Sequence, residues 1–362
     1  MGGHCVKVLM LSRYGRLGAS SRLRTFQYVP WLESAGIQIT LAPLHSDAYV
    51  ANLQRGIRNP MQVMGDYAAR IRILMNRGKF DLLWIEKEIL PWLPYGVEKM
   101  LLPQSVPYVL DYDDAVFHSY DEHGNPLVKE LLAPKHPKMM QRAALVVAGN
   151  AYLADFARQA GAPHVALIPT VIDLARYPSP ATKRPDGELP CVGWIGQRAT
   201  AHFLAPYAPL FNRLSTDGLA RFAAIGIDTA KLGLPMASVP WAEETEVASI
   251  AGLDVGIMPL LDGYFERGKC GYKLIQYMAC GLPVVASPVG VNRQIVEHGV
   301  NGFLAETPVQ WEQALRTLLA DSNLRQRMGH AGRQKVVREY CLQATAPVIS
   351  GLLVQAATKT DR

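Results

Sequence analysis

Residues 272–287 read Tyr272-Lys273-Leu274-Ile275-Gln276-Tyr277-Met278-Ala279-Cys280-Gly281-Leu282-Pro283-Val284-Val285-Ala286-Ser287. Leu274, Ile275 and Met278 recur at the helical period, Gly281 stands where a helix ends in the left-handed conformation, and Pro283 prevents continuation. Pro283–Ser287 is then a short β-branched run, so the stretch predicts a helix feeding a buried strand. Outward from it the same alternation recurs through the chain. In the first half the strand candidates are Val6–Ser12, Ile39–Leu44, Leu82–Lys87, Tyr108–Asp113, Leu145–Gly149 and Val165–Thr170. In the second they are Cys191–Gly196, Arg221–Gly226, Ser238–Trp241, Val255–Leu260, Pro283–Ser287 and Gly302–Ala305.

Two sets of strands interleaved with helices predict an α/β protein of two Rossmann-like domains in tandem. The chain's 362 residues agree, since domains run to roughly 100–200 residues. The Pro-rich polar stretch Tyr177–Gly187 has no periodicity and reads as a linker. The expected division is 1–176, a linker at 177–188, a second domain at 189–340 and a C-terminal helix at 341–362. Trp311, Leu315 and Leu318 form an apolar stripe for packing on a sheet, and Ala344–Ala357 either stays on its own domain or crosses back to the first. In a doubly wound fold the site is expected outside the carboxyl ends of the strands, and for two facing domains in the cleft between them.

Composition narrows the classes. Hydrophobic residues make up 49% and charged residues 19%, which excludes disordered and fibrous chains. No stretch approaches the roughly 20 apolar residues of a membrane span, and Val6–Leu11 is too short for a signal-peptide core. Five cysteines without a CxxC pair argue against a disulfide framework or structural zinc, so a reduced cytoplasmic protein is expected. The net charge of +6 divides into a surplus of four in residues 1–188 and two in the remainder. Arg55, Arg58, Arg70, Arg72, Arg77 and Lys79 lie close together with only Asp66 opposing them, as a solvated helix face or as a contact with an anionic membrane. Neither an RNA-recognition signature nor a basic tail is present, so nucleic acid is not an expected partner.

Three segments carry candidate chemistry. The first strand ends in Ser12-Arg13-Tyr14-Gly15-Arg16-Leu17-Gly18-Ala19-Ser20-Ser21-Arg22-Leu23-Arg24, where glycines allow close backbone approach, Ser20 or Ser21 can cap a helix whose unpaired N–H groups favour an anion, and Arg13, Arg16, Arg22 and Arg24 concentrate positive charge. Its spacing is not GxGxxG, and no acid closes the second strand, which disfavours a dehydrogenase. The seventh strand runs into Gly196-Gln197-Arg198, with Arg198 placed either to meet phosphate with its planar fork or simply in solvent. Gly268 and Gly271 make a loop before the helix of residues 272–280. On that helix Lys269, Lys273, Gln276 and Cys280 recur at i, i+4, i+7, i+11, opposite the apolar side. Two ammonium groups in and just after a loop with free N–H groups outline a diphosphate site, with Gln276 in reach of sugar hydroxyls.

Tyr277-Met278-Ala279-Cys280-Gly281-Leu282-Pro283-Val284-Val285-Ala286 resembles the ending of the fingerprint of the retaining GT-B glycosyltransferases of family 4. Val289-Gly290 and Glu297–Leu304 resemble the segment that follows, and the resemblance covers roughly residues 190–340. It implies a GT-B architecture, with a nucleotide sugar bound as substrate mainly by the second domain and no cofactor or metal. The first domain would bind the acceptor, a glycan or a lipid-linked glycan of cell-surface polysaccharide synthesis at the inner membrane face. Donor-binding positions would be Gly196, Gln197, Gly268, Cys270, Gly271, Gln276 and Gly290, with His118, Arg198, Lys269 and Lys273 as the catalytic set. The chain departs from the pattern at both fingerprint glutamates: aligned on Met278-Ala279, they become Gly268 and Gln276, with Glu266 near the first. The phosphate clamp is altered as well, Gln197 and His202 standing where arginine and lysine are expected.

On the acceptor side the candidates are Gly18, Arg22, Glu86, Glu88 and Asp113, all at carboxyl ends of first-half strands or in the first turn. Asp111-Tyr112-Asp113-Asp114 offers a superficial metal motif, but its carboxylates can equally cap a segment and orient basic residues. Trp92 and Tyr95 either stack on a sugar ring or pack locally. Two other classes remain open: an epimerase or hydrolase of the same fold, and a non-catalytic glycan- or nucleotide-binding relative, which the two fingerprint replacements keep in view.

Overall fold

In the computed structural model the described residues are 5–102, 105–177 and 187–358. They form two compact units: the first comprises Met1–Thr170, Gly268–Cys270 and Gln343–Arg362, the second Val171–Arg267 and Gly271–Leu342. The division thus falls at Thr170 rather than at residue 176. Most of the expected linker, residues 178–186, lies outside the described residues, whereas Tyr177 is buried in the second unit.

The first unit holds a parallel sheet of β1 (Lys7–Leu11), β2 (Gln38–Leu41), β3 (Leu82–Glu86), β4 (Tyr108–Tyr112), β5 (Leu145–Ala148) and β6 (Val165–Leu167) in the order β2-β1-β3-β4-β5-β6. Every residue of β3, β4 and β5 is buried, because helices cover both faces of a parallel sheet and leave no solvent side to alternate toward. The C-terminal helix Leu342–Thr358 contributes residues 343 onward to this unit, where the Tyr28 hydroxyl lies 3.0 Å from Thr345 Oγ1.

The second sheet contains β7 (Cys191–Ile195), β8 (Arg221–Ile225), β9 (Ala237–Val239), β10 (Val255–Met258), β11 (Val284–Ala286) and β12 (Gly302–Leu304), ordered β12-β11-β10-β7-β8-β9 and parallel throughout. One face buries Trp194, Val255, Ile257 and Val285 under Trp311, Leu315 and Leu318 of helix Pro308–Ala320, the stripe the periodicity predicts. The other face is covered by helix Tyr272–Ala279, whose Gly281 takes φ +73° as its position in the sequence requires. Helix Ser322–Glu339 crosses it closely: a Cβ on Gly329 would lie 1.8 Å from the Gly281 carbonyl oxygen, and one on Gly332 2.9 Å from Met278 Cγ.

All twelve expected strands are present, and most expected ends run one to three residues beyond the ladder. Ser12, Lys87, Asp113, Gly149, Gly196 and Gly226 have already left the sheet at its carboxyl edge. Strand order reverses between β1 and β3 and again between β7 and β10, and such points open the crevices where α/β sheets take ligands. Among the described residues no helix is long and apolar enough to cross a membrane.

Candidate functional site

In the second unit the turn after β7 meets the turn after β8 and the start of helix Tyr272–Ala279. β7 leaves through Gly196 and Gln197 into the tight helix Arg198–Tyr207. A Cβ on Gly196 would sit 2.4 Å from the Trp194 ring and 3.0 Å from Lys273 Cε, so only glycine fits between them. Gly226, at φ +94°, closes from the other side, where a Cβ would come 2.5 Å from the Gly196 carbonyl oxygen. Gly271, at φ +65°, starts helix Tyr272–Ala279. Lys273 is half-buried, and its Nζ stands 5.4 Å from the centre of the Trp194 ring, over its π face.

The rest of that helix is more buried than its periodicity suggests. Gln276 and Cys280, expected on a polar face with Lys269 and Lys273, are both 2% exposed. The correction has a packing cause, because the helix lies between its sheet and the chain around Tyr177. Gln276 Nε2 donates to the Tyr177 hydroxyl at 3.4 Å, and burial pushes that phenol above its usual range. Tyr277 is fixed by the Ile195 N–H, which donates to its hydroxyl at 2.9 Å. Gly290 takes φ +52° beside the main chain of Arg267, where a Cβ would meet the carbonyl oxygen at 2.6 Å. Gln197, Arg198 and His202 are exposed, the last with Nδ1 3.0 Å from the Ala199 carbonyl oxygen. Glu266 is half-buried against Gly263.

The segment Gly268–Cys270 belongs to the first unit and is seated there by several matched features. Asn150 caps helix Ala151–Gln159 through its Oδ1, which accepts from Leu153 N at 3.0 Å. Its Nδ2 donates to the carbonyl oxygens of Gly268 at 2.8 Å and Lys269 at 3.1 Å. The Cys270 thiol donates to the Asp113 carbonyl oxygen at 3.0 Å, and burial raises its pKa far above the usual thiol range. Two glycines make room: a Cβ on Gly149 would lie 2.3 Å from Cys270 Sγ, and one on Gly268 2.4 Å from Ala115 Cβ. The position where the family fingerprint carries its first glutamate therefore has no space for a side chain in this protein.

Around β1, β3 and β4 the charged residues are paired with one another. Glu86, 1% exposed, accepts from Ser21 Oγ at 2.6 Å and from Arg13 N at 2.9 Å. Ser20 and Ser21 therefore do not cap helix Ala19–Arg24, whose N-cap is Gly18 without a side-chain bond. Ser20 instead donates to Asp113 at 2.5 Å, and Lys87 Nζ lies 2.7 Å from the same carboxylate. Burial alone would raise Asp113, but Lys87 outweighs it and holds the carboxyl below its ordinary range. Arg24, grouped by sequence with an anion site, is fully inward: Nε donates to Asp111 at 2.7 Å and Nη1 to the Ile168 carbonyl oxygen at 2.9 Å. Burial still pushes Asp111 up to about 6. Arg22 is 3% exposed and donates to the Arg16 carbonyl oxygen at 3.2 Å.

Glu88 meets Lys135 at 2.7 Å, the Tyr120 hydroxyl at 2.9 Å and Arg13 at 3.6 Å. His118 has Nδ1 2.8 Å from Asp121 and Nε2 2.7 Å from the Tyr152 hydroxyl. Tyr95 accepts from Arg142 at 3.3 Å. Lys87 at φ +64° and Trp92 at φ +62° both lie in the loop after β3, a conformation costing roughly 1–3 kcal/mol and concentrated at functional sites. Among the described residues no three His, Cys, Asp or Glu side chains are grouped to hold a metal ion. Sequence reasoning missed Lys87, Asn150, Tyr177 and Trp194. Asn150 alone had a local signal, as a helix cap after a strand.

Residues 235–321 match the model of a family described as glycosyl transferases group 1. Over 178 residues the chain is 29% identical to the D-inositol 3-phosphate glycosyltransferase of Thermobispora bispora, which covers 46% of this chain and 40% of that protein. The match thus spans less than half of that relative. Among solved structures, a sucrose-phosphate synthase from Thermosynechococcus elongatus superposes with TM-score 0.73 at 15% identity, covering 97% of this chain and 98% of that one. HepE from Anabaena in complex with UDP-glucose gives TM-score 0.69 at 16% identity, covering 96% and 99%. The fold is that of the GT-B glycosyltransferases. Residues 235–321 carry the group 1 glycosyltransferase segment, and the resemblance drawn from Tyr277–Ala286 holds at that level.

Proposed function

We propose that this protein is a retaining glycosyltransferase that moves a hexosyl group from a nucleotide-diphosphate sugar to a glycan or lipid-linked acceptor in cell-surface polysaccharide synthesis. The observation that carries the proposal is the meeting of the Gly196 turn, the left-handed Gly271 and the Lys273 ammonium at the switch point of the second sheet. Glycine backbone that a ligand can approach, next to an ammonium set over the Trp194 ring, suits a diphosphate. The 235–321 match lends support, since it contains Lys273 and Gln276, and HepE's complex with UDP-glucose supports a nucleotide sugar as donor.

In the proposed reaction the bond from the anomeric carbon to the diphosphate breaks with its electron pair on the phosphate oxygen. Lys273 and Arg198 stabilise that charge, each well-placed donor contributing about 3 kcal/mol to the transition state. The acceptor hydroxyl attacks from the face the diphosphate leaves, its proton passes to the departing phosphate, and configuration is retained without a protein nucleophile.

The test is thermal stabilisation by UDP, GDP, ADP and their sugars, with the wild type and Lys273→Ala compared. One nucleotide family is expected to raise the midpoint, and Lys273→Ala to weaken its affinity tenfold or more. No stabilisation by any of them would overturn the proposal. Nucleotide release that depends on added acceptor marks transfer. Release without acceptor would mean hydrolysis, and binding without turnover a non-catalytic relative.

A further inference from the structure

The basic cluster seen in the sequence is altered by the fold. Arg70 points inward from helix Pro60–Met75 and is 1% exposed, donating to the carbonyl oxygens of Ser12 at 2.6 Å and Ala42 at 2.9 Å. With Leu74 it forms the buried side. The outward side carries Met61, Met64, Gly65, Ala68, Ala69, Arg72 and Met75, all exposed and all within about 140° of the helix circumference at ~100° per residue. Met61 is 74% exposed, Met64 66% and Met75 72%. Ile57, just before the helix, is 53% exposed. Tyr67, Ile71, Ile73 and Leu74 of this helix pack on the core, and the methionines form a second apolar stripe that is left uncovered.

Its charge says what would cover it. Arg55, Arg58, Arg72 and Lys79 are exposed along the same segment, whereas the acid within residues 48–80, Asp66, is half-buried and 2.7 Å from His45 Nδ1. Unbranched methionines framed by cations, with no exposed carboxylate among them, match an interface of acyl chains beneath anionic headgroups.

We infer that the outward face of helix Pro60–Met75, with Arg55, Arg58 and Lys79, docks on an anionic lipid bilayer. The methionines enter the headgroup–acyl boundary and the cations meet lipid phosphates. Docking is independent of which sugar the protein transfers.

The test is flotation with vesicles of phosphatidylcholine alone or mixed equally with phosphatidylglycerol, at low and high salt. The wild type is expected to float with the anionic vesicles at low salt only. Each arginine removed in Arg55→Gln, Arg58→Gln and Arg72→Gln should lower partitioning about fivefold. The triple variant Met61→Gln/Met64→Gln/Met75→Gln should lower it about tenfold or more. Leu127→Gln/Leu131→Gln, on another exposed helix, should leave it unchanged. Nucleotide stabilisation equal to wild type in every variant shows that the fold survives and separates this inference from the proposed donor site. Absence of anionic-vesicle binding, or binding indifferent to the methionine variant, overturns the inference. Self-association abolished by the methionine variant, without vesicle binding, also overturns it and assigns the face to a second copy.

Discussion

Replacing Asn150 separates two roles that one side chain fills. Its Oδ1 caps helix Ala151–Gln159, and its Nδ2 holds the carbonyl oxygens of Gly268 and Lys269. Serine keeps the cap, since Ser and Asn are near-equal in that position, but its shorter side chain does not reach the two carbonyls. At about 1 kcal/mol per hydrogen bond, Asn150→Ser should cost about 2 kcal/mol. Alanine also loses the cap, worth about 1 kcal/mol, so Asn150→Ala should cost about 3 kcal/mol. In urea, with a slope of about 2 kcal/mol/M, these losses displace the first unit's midpoint by about 1 M and 1.5 M. The assay is denaturant unfolding followed by a first-unit probe. A serine variant within about 0.5 kcal/mol of wild type would refute the claim that Asn150 seats residues 268–270. Equal losses for serine and alanine would refute the cap.

Two further outcomes follow from the same geometry. Gly271→Ala puts a Cβ at φ +65°, 2.4 Å from Ile295 Cδ1, and should cost about 3 kcal/mol, part backbone strain and part crowding. Ile295→Val in the same chain should recover only the crowding part, read by a double-mutant cycle in urea. His136 is buried, and its pKa is lowered by that burial to about 4. The unfolded chain takes up this proton near pH 6.5, so between pH 6.5 and 4 it binds more protons than the folded one. Stability should fall across that window as pH drops, by up to about 3 kcal/mol, and His136→Gln should flatten the slope in thermal scans.

Both sheets were legible because strands buried on two faces leave near-continuous apolar runs, and the turns that end them carry Gly, Pro and acids. The Gly281–Pro283 break, the Trp311 stripe and the Gly271 turn follow from dihedral limits and helical period, which are local. Partnership across the chain was not legible. Arg24 looked like part of an anion site, yet it pairs with Asp111, 87 positions on. Arg70 looked like surface charge and proved to be an internal donor to main-chain carbonyls. Gln276 lay on a face that spacing marked as polar, and its partner is Tyr177, 99 positions away.

The alternation of elements, the glycines at strand ends and the motif at 277–286 are local properties of the chain, since each depends on neighbours within a few residues. Tertiary structure alone decided which glycines are demanded by conformation and which by crowding. Gly271 needs a left-handed backbone; Gly196 yields to Trp194 and Lys273, and Gly268 to Ala115. It also decided which charges remain at the edge of the sheet. A buried charge must find its counterpart wherever the fold brings one, and that distance is set by packing rather than by sequence spacing.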